Sequence, residues 1–226
     1  RLWRIDVSGV RRALGVGLPI GGTLVVEVGV FAGAAMIVGL IGETSLAAHG
    51  IAMQIAGAAF MVPLGIGLAA CTRVGAAWGA ADSAGARRSA WTATGLSGAV
   101  MAVSACVLLF APDVLIGLFV DLSDPANAGV VEEARRLLAV AALFQVVDGL
   151  QVAQQNALRG VSDVRWPLVI SLIGYWGVGL GVGSLLAFPL GLGAAGVWWG
   201  MAAGLGCVSA LLAVRMRWRF RAGAAL

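Results

Sequence analysis

The chain has 226 residues, of which 60% are hydrophobic and 12% charged, with a mean hydropathy of +0.96. A water-soluble domain has no way to hide that much apolar surface, so the composition excludes one and points to an integral membrane protein. The net charge of +4 would suit a nucleic-acid partner, but all fifteen basic residues are arginines gathered at the ends of apolar runs. They read as topology signals, and no nucleic-acid partner is expected.

Residues 1–12 read as a polar cytoplasmic linker. The start at Arg1 rather than Met suggests a piece of a longer protein. Six apolar spans follow, at about 13–40, 46–72, 89–111, 134–158, 166–188 and 192–214, and residues 215–226 form a basic tail. Thirteen arginines lie on one side of these spans: Arg1, Arg4, Arg11, Arg12, Arg73, Arg87, Arg88, Arg159, Arg165, Arg215, Arg217, Arg219 and Arg221. The other side has six acids (Glu43, Asp113, Asp121, Asp124, Glu132 and Glu133) and only Arg135 and Arg136. The positive-inside rule therefore places both ends in the cytoplasm, and an even number of spans agrees.

The first span, ALGVGLPIGGTLVVEVGVFAGAAMIVGL, carries Glu27 near its centre. At 1.5 Å per residue the acid lies roughly 22 Å from Arg12 and roughly 24 Å from Glu43, close to the bilayer midplane. An ionised group there costs a few kcal/mol unless paired or solvated. The fourth span carries Asp148 at matching depth, roughly 18 Å from Arg136 and roughly 16 Å from Arg159. Gln145, Gln151 and Gln155 share the Asp148 side of the helix in this reading, a polar stripe expected to face protein or water. Two carboxyls at one depth on different spans suit a site for a proton or cation. The contrasting reading makes them hydrogen-bonded ties between helices.

Pro19 and Pro63 interrupt the first two spans, where each removes a backbone hydrogen bond. Gly196, Gly200 and Gly204 in the last span, with Gly177 and Gly181 in the fifth, are placed for close helix packing. His49 and Gln54 open the second span. His49 reads as a packed residue and Gln54 as a cavity-facing one. Phe31, Met53, Phe144 and Tyr175 are expected to line an adaptable pocket, alongside Met36, Met61, Phe60, Trp176 and Trp198. Trp3, Trp78, Trp91, Trp166 and Trp218 read as interfacial anchors, and Arg73 as part of a cytoplasmic gate or a topology signal. Cys71, Cys106 and Cys207 stand alone in apolar runs, without metal spacing or an implied disulfide. No HExxH, no phosphate-binding GxxxxGK[ST] and no Cys/His metal set occurs, so neither an enzyme nor a cofactor is expected.

The segments GLPIGGTLVVEVGVFAGAAMIVGLIG, SLAAHGIAMQIAGAAFMVPLGIGLAACTRVGAAWGAAD and LFQVVDGLQVAQQNALRGVSDVRWPLVI resemble the second half of a multidrug and toxic compound extrusion (MATE) transporter of the NorM-like branch. IGYWGVGLGVGSLLAF and GLGAAGVWWGMAAGL extend the resemblance over nearly the whole chain. It implies an all-α membrane protein: one six-helix lobe of a twelve-helix, pseudo-two-fold transporter whose partner lobe is missing here. It further implies a secondary antiporter in a bacterial inner membrane that exports organic cations in exchange for H⁺ or Na⁺. Glu27 and Asp148 would serve as the coupling pair, and as the ligands of any Na⁺. Their presence separates the chain from the DinF-like branch, whose emphasis falls on an acid of the other lobe. Phe144 stands where Na⁺-coupled relatives can carry a tyrosine, which moves the expectation toward protons. Gly50 stands where a glutamine is common. The alternatives are a lipid-linked oligosaccharide flippase of the same superfamily and a non-transporting membrane module.

Overall fold

In lipid every backbone polar group must find its partner inside the chain, so uninterrupted apolar runs of this length become helices. A computed structural model describes residues 7–222. Trp3, Arg1 and Arg4 lie outside the described residues. The helices are α1 (Val7–Ile41), α2 (Glu43–Gly79), α3 (Ser83–Phe110), the short α4 (Pro112–Ile116) and α5 (Ala128–Gly160). The fifth span is built from α6 (Arg165–Leu172), a π-helical segment (Ile173–Leu180) and α7 (Gly181–Ala187). α8 (Gly193–Ala222) is the last element among the described residues. Among the described residues six helical stretches are long and apolar enough to cross a membrane, and the protein is an all-α membrane protein.

The helices outrun the apolar spans that announce them. α1 starts inside the segment read as a linker, α5 starts at Ala128 rather than near 134, and α8 carries Arg215, Arg217, Arg219 and Arg221 as helix rather than as a tail. Hydropathy ends where lipid ends, whereas a helix can continue into the headgroup layer with its polar side chains in water. Gly42 alone separates α1 from α2, at φ 156° and ψ 162°, a backbone region essentially reserved for glycine. Asp82 caps α3 by accepting the amide of Gly85 at 2.7 Å.

α5 is the central helix. Along its most apolar stretch 72% of residues are buried, against 17% for α1. It packs on α2, α3 and α8, and glycines set the approach: Gly67 meets Asn156, Gly75 meets the Gly160 carbonyl, and Gly149 meets Met101. α1 lies against α2 and the fifth span, with Gly22 on Leu168, Gly29 on Trp176 and Gly33 on Leu180.

The closest seam joins the fifth span to α8. Gly196 and Gly204 lie so near the fifth-span backbone that an added Cβ would come within 2.6 Å and 2.7 Å of it, and Gly200 sits directly on Gly183. Gly196 meets the Leu186–Ala187 backbone, while the partners of Gly200 and Gly204 are Gly174, Gly179 and Gly183, not the expected Gly177 and Gly181, which face open space. The cause is the π-helical segment. Its wider turn puts residues five apart on one face, so Gly174 and Gly179 align, and the α-helical spacing then resumes to Gly183.

Both exceptions to the charge asymmetry are neutralised locally. Arg135 pairs with Asp113 at 2.6 Å and with Glu132 at 3.7 Å, and Arg136 pairs with Glu132 at 3.4 Å. At the arginine-rich end Arg215 binds Asp163 at 2.7 Å and lies over the rings of Trp166 and Trp218. Arg217 and Arg219 stack on Trp91 and Trp78, so these tryptophans form an aromatic belt shared with the basic termini.

Candidate functional site: a two-carboxyl cavity

Three helices bound a cavity of about 200 Å³. α1 contributes Glu27 and Phe31, four residues apart; α5 contributes Phe144 and Asp148, again four apart. α2 contributes Met53, Ala56, Gly57 and Phe60, at successive helical-face spacings. Each set lies on one face of its helix because residues three, four and seven apart stack along one side. The two acids thus open on one space whose other walls are apolar. Asp148 is 6% exposed and Glu27 is half-buried. Among the described residues neither carboxyl has a hydrogen bond or a salt bridge.

A chain of aromatic contacts supports the cavity from beneath. Phe31 meets Phe144 edge to face at 6.1 Å, Phe144 meets Trp198 at 5.4 Å, and Trp198 meets His49 at 5.7 Å. Trp198 Nε1–H donates to His49 Nδ1 at 3.1 Å, so the imidazole accepts on Nδ1 and carries its proton on Nε2. α1, α5, α8 and α2 are tied together through these four rings. Beside the acid on α1, Trp176 Nε1–H donates to the Val26 carbonyl at 3.2 Å. Pro19 lies two turns earlier, and its carbonyl accepts the Thr23 hydroxyl at 2.8 Å.

Phe31, Met53, Phe60 and Phe144 line the cavity; the other expected lining residues lie elsewhere. Gln54 is exposed, about 100° round the helix from Met53. Gln145 is buried against α3, where the Ser104 hydroxyl donates to it at 3.4 Å. Gln151 donates to Gln155 at 2.9 Å, both buried within the lobe. Tyr175 is buried in the π-helical segment and is not part of the lining. The apparent stripe on α5 is divided because α5 is surrounded: Gln145 and Gln151 lie about 60° to either side of Asp148, and Gln155, about 20° from it, is taken up by the hydrogen bond from Gln151. Gln154, outside the supposed stripe, is also buried and accepts from Ser209 of α8 at 3.1 Å. Sequence reasoning passed over Ala56 and Gly57. The α2 spacing from Met53 to Phe60 was the signal that could have found both.

Comparison with known proteins identifies the family. The MatE family model matches residues 19–185. The chain is 45% identical over 217 residues to a probable multidrug resistance protein NorM of Brucella suis, covering 96% of this chain and 46% of that protein. It is 48% identical over 207 residues to the multidrug resistance protein NorM of Burkholderia vietnamiensis, covering 92% and 44%. The chain spans about half the length of these relatives. Its fold matches half of the eukaryotic MATE transporter AtDTX14 (TM-score 0.85, 20% identity, 97% of this chain and 50% of that one). A MATE structure in complex with MaL6 aligns at TM-score 0.88 and 17% identity, over 99% of this chain and 49% of the other. On the extent of the family match and the identity to its NorM members, the chain belongs to the MATE family.

Proposed function

We propose that this chain is one lobe of a cation-coupled multidrug antiporter of a bacterial cytoplasmic membrane, with Glu27 and Asp148 as its coupling pair. The observation that carries the reading is the opening of both carboxyls onto one apolar cavity, with no salt bridge to either. Two carboxylates ionised side by side in such a space repel each other and lose hydration, so the site favours uptake of a positive charge. A proton or Na⁺ supplies it. Phe144 brings a ring and no oxygen to the cavity, which favours the proton. Phe31, Phe60, Phe144 and Met53 offer π faces and a polarizable sulfur, a surface suited to a bulky organic cation. Coupling follows if the inorganic and the organic cation favour different packings of α1 against α2 and α5, since a ligand shifts an equilibrium only by its differential affinity. The Pro19 and Pro63 positions, where the helical hydrogen-bond ladder is already interrupted, are where α1 and α2 would bend. A second six-helix lobe would complete the drug pathway, in keeping with relatives twice as long.

The test is flux of a fluorescent organic cation into proteoliposomes holding the full-length gene product, under an imposed pH gradient and then a Na⁺ gradient. Asp148→Asn and Glu27→Gln should each abolish gradient-driven flux while the protein remains folded. Wild-type flux in both variants would refute the assignment.

A further inference from the structure

At the arginine-rich end, α2 and α3 diverge around a groove of about 330 Å³ that is remote from the carboxyl cavity. Arg73 of α2 and Arg88 of α3 stand at its mouth with the side chains of Ser89 and Thr92. The helices are antiparallel, and the two arginines lie at matching depth, six residues before the end of α2 and five after the start of α3. Among the described residues neither guanidinium has an acidic or aromatic partner. Arg135, Arg136 and Arg215 all have acids, while Arg217 and Arg219 have tryptophan rings. The nearby Asp82 is occupied as the cap of α3.

The groove changes character with depth. From the arginines it runs toward Ile66 and Leu96, roughly 10–12 Å further along their helices, over a floor of Ala70 and Ala93. Small residues open the slot, and apolar ones line its deep end. Trp78 and Trp91 place the mouth in the headgroup layer. A charged mouth at headgroup level above an apolar slot matches a molecule with an anionic head and a hydrocarbon tail. A free phosphate has no use for the deep end.

We infer that the α2–α3 groove is a binding site for one anionic phospholipid, its phosphate held by Arg73 and Arg88 and one acyl chain laid along Ile66 and Leu96. Paired guanidiniums suit phosphate oxygens through charge-assisted hydrogen bonds, and basic pockets between spans on the cytoplasmic side are suited to such headgroups. The inference is independent of the coupling role given to the carboxyls.

Native mass spectrometry of the delipidated full-length protein, titrated with phosphatidylglycerol or phosphatidylcholine, reads the site directly. One phosphatidylglycerol should bind in preference to phosphatidylcholine, and Arg73→Gln with Arg88→Gln should weaken it about thirtyfold, the effect of two basic contacts near a membrane surface. Arg87→Gln, which removes a neighbouring charge outside the groove, should leave it within about twofold. Ala69→Leu fills the slot without touching a charge and should also weaken phosphatidylglycerol, keeping the test open if the double variant does not fold. Equal loss in Arg87→Gln, displacement of the lipid by inorganic phosphate, or indifference to Ala69→Leu would each overturn the assignment. So would a lipid-free double variant that melts early with unchanged lipid count, since the arginines would then hold the protein's own chain.

Discussion

The seam between the fifth span and α8 and the cavity between α1, α2 and α5 are built on opposite plans. In the seam, backbone lies on backbone, and no side chain can be added. Around the cavity, Phe31, Met53, Phe60 and Phe144 stand between three helices, so side chains rather than backbone set the spacing. One contact is all-or-none and the other is adjustable. α1, the least buried of the six spans, meets α2 and the fifth span, and on the fifth span side chains rather than backbone lie on its glycines. The lobe therefore has a fixed frame on one side and a compliant wall on the side that carries Glu27.

The strongest way to break the contrast is at the seam. Gly200→Leu should prevent recovery of folded protein, because its Cβ and everything beyond it overlap the Gly183 backbone; the cost exceeds the usual overpacking range of about 1–3 kcal/mol. A monodisperse, normally melting Gly200→Leu protein would show that the seam can open. Next is Trp198→Phe, which keeps the ring contacts but leaves His49 Nδ1 buried without its donor. About 1–3 kcal/mol of destabilisation is expected, read as a lowered melting temperature with the cation flux retained. Arg215→Lys keeps a charge for Asp163 but gives up a planar group stacked on two indoles, for about 0.5–1 kcal/mol. Gly177→Ala sharpens the contrast from the other side. It faces open space, so stability should change by no more than about 0.5 kcal/mol, measured in the same melts.

The smallest effect concerns the acidic side. The hydrogen bond from Arg135 holds the Asp113 carboxyl below its ordinary value of 3.8. A carboxyl with a depressed folded-state pKa stabilises fully above its unfolded pKa and ceases to do so as pH falls through the folded one. Melting temperature should therefore drop slightly below about pH 4, and Asp113→Asn should remove that component. An unchanged acid limb in the variant would assign the drop to other groups.

Composition was enough to place six helices, because bilayer thickness acts over whole spans. Glu27 and Asp148 were conspicuous because so few polar groups occur at that depth. Phe31 and Phe144 were within reach because each is one turn from an acid. What sequence reading could not resolve was which way a buried helix turns its remaining polar groups. Gln145, Gln151 and Gln155 sit at spacings that look continuous on a helical wheel, yet a fully surrounded helix has no single inside. Gln54 lies beside Met53 in sequence and on another face in space. Gly177 and Gly181 were misplaced for a different reason: periodicity arguments assume a constant number of residues per turn, and that assumption fails between Ile173 and Leu180.

That failure bears on how such chains are compared. A π-helical segment carries extra residue length within an otherwise regular span. A template whose fifth span is plain α-helix, aligned without a gap, would agree up to Leu172 and then slip. Every downstream position would be rotated by about 100° per residue of slip, turning Gly183 away from Gly200 and a lipid-facing residue toward it. In this chain a one-residue gap inside an apolar run, usually treated as noise, would be a structural character, because it decides how the last two spans meet.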